Sequence, residues 1–181
     1  MVIHYFHKVY HNMELAKQLK TDGIAKGLCQ QYQGLIERCE NTGQLVGLFF
    51  RGIDFCIKKD YPTLDFIREN FKGKCEAYGV FVDAEIQDLK NAENVALNGD
   101  CKAMLEYDGY SVSNLFVRHN SQVSVNVSGR AVLDIDAFDN SNLVVAVAGN
   151  TARVRVTLYG NAHVQCMGSG IKVIKKNQKT Y

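Results

Sequence analysis

Between Ser111 and Ile174 the chain repeats one short phrase, an alternating apolar run followed by a small polar turn. Val123, Val125 and Val127 lead to Leu133, Ile135 and Ala137 and then to Leu143, Val145 and Val147, each set ten residues after the last. The step lengthens to eleven before Val154, Val156 and Leu158. Leu115 and Val117 precede this series; Val164, Cys166, Ile171 and Val173 continue it. A period of two puts alternate side chains on one buried face of a strand. The intervening turns, such as His119-Asn120-Ser121, Ser128-Gly129-Arg130 and Asp139-Asn140-Ser141, hold residues that tolerate positive φ or bond their own backbone.

Few architectures accept so constant a step. An antiparallel meander needs no fixed period, whereas a β-solenoid does, because each step becomes one side of a coil stacked on the next. The expected fold is therefore α+β: a bundle of short helices followed by a small single-stranded β-helix. A coil of two steps would stack Leu133 and Ile135 under Val154 and Val156. It would also set the outward Asp134 beside Arg155 as a cross-strand pair. Strand character begins near Asn94, with Val95, Leu97 and Leu105 keeping the approximate phase. The reading divides the chain into a helical cap, residues 1–93, and a solenoid with a basic tail, residues 94–181.

The helical half is read from caps and breakers. Asn12 is placed to cap a helix through Met13, Leu15, Ala16 and Leu19, ending near Gly23. A second helix is expected over Ile24 to Cys39 and a third over Gln44 to Lys59, after the break Asn41-Thr42-Gly43. Pro62 suits the first turn of a fourth, with Leu64, Ile67 and Phe71. Residues 77–83 read as an extended link, after which Asp83 would cap a helix bearing Ile86 and Leu89. The cap is expected to pack on the first coil or along one side, since an exposed coil end is an unpaired edge.

One strand breaks the inside-outside pattern. In Asn142 to Ala148 the outward positions are Val144, Ala146 and Ala148, where neighbouring strands place Ser, Asn, Asp or Arg. A strand apolar on both faces is normally covered on both. Val144, Ala146 and Ala148 are thus candidate interface residues, against a second copy of the chain or against the helices, with Phe116, Phe138 and Tyr159 as flanking contributors.

The chemistry-bearing groups are sparse. The best carboxylate cluster is Asp134, Asp136 and Asp139, where paired carboxylates could serve carbohydrate binding or hydrolysis. His4, His7 and His11 would share a helical face able to bind a metal, but the plainer reading is surface histidines. The six cysteines contain no Cys-x-x-Cys pair, which points to free thiols in a reducing compartment. No phosphate-binding loop, dinucleotide fingerprint or hydrolase elbow is present. No cofactor, resident metal or catalytic residue is therefore assigned. The net charge is +2, with the basic excess in Lys172, Lys175, Lys176 and Lys179; with Arg153 and Arg155 these could meet nucleic acid. No apolar run is long enough for a bilayer span, and the first residues lack a signal-peptide pattern, so the expected location is the cytoplasm.

The segments GIDFCIKKDYPTLDFIRENF and LEYDGYSVSNLFVRHNSQVSVNVSG resemble an uncharacterised family of the Bacteroides group and its mobile elements. The C-terminal half is similar to their short adhesin-like β-helical domains. The resemblance implies an architecture and brings no active residues with it. The function expected from all this is a non-enzymatic structural or interaction protein that self-associates through the solenoid. A carbohydrate-binding or carbohydrate-active role for Asp134 and Asp136 is the first alternative, and a nucleic-acid role for Arg153, Arg155 and the lysine tail is the second.

Overall fold

The computed structural model describes the backbone of residues 2–181 and the side chains from Glu14 onward. It divides into two compact units, one ending at Tyr78 and one running from Gly79 to Tyr181.

The first unit holds α1 (Val2–Ala25), α2 (Gln30–Glu37), α3 (Thr42–Arg51), α4 (Ile53–Lys59) and α5 (Leu64–Asn70), then a 3₁₀ turn at Glu76–Tyr78. Its buried residues include Leu15, Leu19, Leu28, Ile36, Leu48, Ile57, Ile67 and Phe71. Asn12 lies inside α1 and not at its start; α1 runs on to Ala25, so Ile24 belongs to it and not to the second helix. The stop is Gly27, at φ +91°, where Leu28 N–H donates back to the Gly23 carbonyl at 2.8 Å. The expected third helix is two, broken at Gly52 (φ −111°, ψ 25°). Asn41 caps α3, its Oδ1 accepting from Gln44 N–H at 3.0 Å, while Gln44 Oε1 accepts from Glu40 N–H at 2.6 Å. Pro62 precedes α5 and is not in its first turn; Thr63 caps the helix, its Oγ1 accepting from Phe66 N–H at 3.3 Å.

The second unit is a β-solenoid of two parallel sheets. Sheet A takes β1 (Val80–Val82), β3 (Asn94–Asn98), β5 (Val112–Val117), β7 (Val132–Ala137), β9 (Arg153–Leu158) and β11 (Ile171–Lys175). Sheet B takes β2 (Glu85–Lys90), β4 (Lys102–Tyr107), β6 (Gln122–Val127), β8 (Asn142–Val147) and β10 (His163–Met167). Successive strands alternate between sheets, so one coil is two steps. Leu133 lies beside Val154, Asp134 beside Arg155 and Ile135 beside Val156, as the two-step coil requires. The core between the sheets is a stack of Leu, Val and Ile, with Val95, Leu97, Leu115, Val117, Val125, Leu133, Val145 and Val156 all shielded from solvent.

The solenoid starts at Val80, earlier than the sequence reading placed it. The segment read as a helix after Asp83 is strand β2. Its Ile86 and Leu89 are three apart because the ladder shifts register between them, with Asp88 at φ 61°. A β-bulge adds one residue to a period of two, and the result imitates the i, i+3 spacing of a helix.

The turns repeat as faithfully as the strands. After each full-length sheet A strand the same corner position holds Gly99, His119, Asp139 or Gly160, all at positive φ. Asn120, Asn140 and Asn161 N–H groups continue the ladder to the carbonyls of Gly99, His119 and Asp139 at 2.8–3.1 Å. Side chains reinforce it: Asn120 Nδ2 donates to Asp100 Oδ1 at 3.0 Å and Asn161 Nδ2 to Asn140 Oδ1 at 3.2 Å.

Faces, corner and open end of the solenoid as the candidate functional site

Outward residues of parallel strands form columns that cross the sheet, one side chain per strand at about 4.8 Å. On sheet A the central column is Asn94, Asn114, Asp134, Arg155 and Lys172. It is largely self-satisfied: Asn114 Nδ2 donates to Asn94 Oδ1 at 3.1 Å, and Arg155 Nη2 to Asp134 Oδ2 at 2.7 Å. The neighbouring column sets Phe116 beside Asp136 and Asp136 beside Thr157.

The three candidate carboxylates do not converge. Asp134 is ion-paired to Arg155. Asp136 Oδ2 accepts from the Tyr181 hydroxyl at 2.6 Å. Asp139 lies in the corner turn, its Oδ2 accepting from His119 N–H at 2.9 Å. Each already holds a neighbouring part of the chain in place. The arginines are engaged as well: Arg153 Nη1 donates to the carbonyls of Asn150, Thr151 and Ala152 at 3.0–3.2 Å. The four tail lysines are exposed.

The aromatic candidates lie away from the strand they were expected to flank. Val144 and Ala146 are on sheet B, whereas Phe116 is on sheet A. Phe138 and Tyr159 are buried at the corner, stacked at 4.7 Å with 11° between ring planes. Tyr181 sets its ring edge-on to both, at 5.3 and 5.4 Å. Gly160 N–H donates to the Gln178 carbonyl at 3.1 Å, so the last residues of the chain lie along this corner. Nothing local in the sequence announces a contact between positions 136 and 181. The buried corner column Asn98, Arg118, Phe138 and Tyr159 was equally hidden, because a residue next to a polar turn reads as surface.

Sheet B is different. Val144 and Ala146 are half-buried, and Ala148, beyond the strand end, is exposed. Register sets Gln165 beside Val144 and Met167 beside Ala146. A shallow groove of about 470 Å³ crosses all five strands of this outer face. Its floor is the column Met104, Ser124, Val144 and Gln165; its side is the column Lys102, Gln122, Asn142 and His163.

At the β10–β11 end of the coil no further strand pairs among the described residues. The inward phase that is buried through Leu158 continues to Val164 and Ile171, which are half-buried, and to Cys166 and Val173, which are exposed. Val173 is 45% accessible and Met167 57%. β10 and β11 are the outer strands of their sheets at this end.

Among the described residues no group of three His, Cys, Asp or Glu is placed to hold a metal ion, and the His4, His7 and His11 side chains lie outside them. No described helix is long and apolar enough to cross a membrane. All six cysteines are free thiols. No protein-family model, curated protein or solved structure matches the chain, and these comparisons give no support to a Bacteroides-group or adhesin-like resemblance.

Proposed function

We propose that this chain is a non-enzymatic structural and interaction protein that self-associates through its solenoid, the β10–β11 end of one copy meeting the same end of another. One observation carries the reading: the core-phase residues of the last strands, Val164, Cys166, Ile171 and Val173, are half-buried or exposed among the described residues, whereas the same phase is buried in the strands before them. Edge strands offer unpaired N–H and C=O groups as a template for another strand. Here β10 carries no lysine, arginine or acidic residue to block such pairing.

The pairing has a preferred symmetry. β10 and β11 run in opposite directions on opposite sheets, and β11 sits half a coil further along. A two-fold axis along the strands would set β10 of each copy antiparallel to β11 of the other. The half-coil step of each end would then fill the step of its partner, as a closed isologous contact requires. This arrangement also keeps the β11 lysines of the two copies on opposite sides. The core cross-section at this end is about 17 Å of strand by about 10 Å between sheets, on the order of 170 Å² per copy before outward side chains and turns are added. The contact therefore falls at the weak end of interfaces. Free thiols throughout suit a reducing compartment, which supports the cytoplasm as its location.

The expected outcome is a reversible dimer with a dissociation constant of about micromolar or weaker. Sedimentation velocity over a concentration series measures it. Val173→Lys should give a monomer whose thermal melt matches the dilute wild type. If Val173→Lys leaves the dimer intact while Ala146→Arg abolishes it, the contact is the sheet B face and the end-to-end reading is wrong. A wild-type protein that stays monomeric at millimolar concentration ends the self-association reading altogether.

A further inference from the structure

We infer that the groove across the outer face of sheet B is a binding site for a linear, neutral polysaccharide chain lying along the solenoid axis. The two outer faces use their polar groups differently. On sheet A the outward Asn114 amide donates to Asn94, and the carboxylates of Asp134 and Asp136 accept from Arg155 and Tyr181. On sheet B, the exposed Gln122 and Gln165 and the half-buried Ser124 make no side-chain hydrogen bond among the described residues, although they stand in one groove. Amides and a hydroxyl offer both donors and acceptors, the inventory that sugar hydroxyls require.

The remaining features narrow the ligand. Glu85 and Lys102 are register neighbours of opposite sign, so the groove has almost no net charge and would gain little from a polyanion. Met104 and Val144 supply apolar floor between the polar groups, as the C–H faces of sugar rings need. The columns advance about 4.8 Å per strand, close to the rise of one pyranose ring in an extended glycan. An extended peptide running across the strands would advance by a shorter step and fall out of register. The groove holds no aromatic platform, so binding should be weak and should grow with chain length.

The test uses the full chain, three neutral probes (cellohexaose, N-acetylchitohexaose and maltohexaose) and heparin as a polyanion. Backbone amide NMR shifts are followed as each is added to millimolar concentration. The expected result is perturbation centred on residues 104, 122–124, 144 and 165 by at least one extended hexaose, with the matching disaccharide binding at least tenfold more weakly. Gln122→Ala and Gln165→Ala should each weaken binding about three- to tenfold, the loss of one hydrogen bond. Both sites are exposed, and the thermal melt should not move. Asp134→Asn, on the opposite sheet, should leave the affinity unchanged. No perturbation by any of the three hexaoses overturns the inference. So does perturbation centred on sheet A, or binding that heparin alone produces.

Discussion

At the scale of single residues the solenoid core is unforgiving, and its few polar members show why. Ile135 is 1% exposed and packed on both neighbouring coils. Ile135→Ala should cost about 2–5 kcal/mol in urea unfolding. Tyr107 is a different case. It occupies an inward position and is 1% exposed, and its hydroxyl has no hydrogen-bond partner among the described residues. Tyr107→Phe removes a buried unsatisfied group and should raise stability by about 1 kcal/mol. Burial also pushes the Tyr107 hydroxyl pKa up, so the unfolded chain releases that proton first. Its ionisation costs the fold nothing below the ordinary tyrosine value of about 10, and stability declines as pH rises above that value. Tyr61, buried in the helical unit and donating to the Leu19 carbonyl at 2.8 Å, shifts in the same direction, chiefly through burial. Both units should therefore soften in alkali, and Tyr107→Phe should flatten the alkaline decline of the solenoid. The exposed pair Asp134–Arg155 marks register more than strength. Breaking it with Asp134→Ala should cost only about 0.2–1 kcal/mol.

At the scale of elements, what could be read depended on how often a pattern recurred. The strands from β5 to β9 were legible because their parity repeats, and every expected inward residue from Leu115 to Leu158 is buried. β2 was not, because its bulge turned a strand spacing into a helical one. The long third helix was misread since Gly52 breaks it while the apolar residues run on through Cys56 and Ile57. Parity gave the outward placement of Val144 and Ala146, but only stacking could reveal that Phe138 and Tyr159 bury each other at a corner. Turns impose their own constraints. Gly129 sits at φ +65°, and a Cβ there would meet the Gly109 backbone nitrogen at 2.9 Å. Gly129→Ala should therefore lower the melting temperature of the solenoid by several degrees, about 1–2 kcal/mol, although the site is exposed. In the helical unit, Asn41→Ala removes the α3 cap and should cost about 1 kcal/mol.

At the scale of the whole molecule the coil is the unit of construction. Val112 pairs with Val132 and Gln122 with Asn142, each a shift of twenty residues, while Asn142 pairs with His163 across the one longer turn. Deleting residues 112–131 removes one complete coil and returns the chain to the same sheet, face and corner. The shortened protein should fold, with Val95 now beside Ile135. Its urea m-value should be smaller roughly in proportion to the surface lost. Deleting ten residues instead exchanges the sheets and should not fold cooperatively. The same register has a genetic consequence. A tandem duplication or loss of one coil's worth of codons leaves every remaining side chain facing the way it did before. The length of this molecule is thus open to change in whole steps, like the marks on a ruler, and each step would lengthen the sheet B groove by one rung without redesigning it.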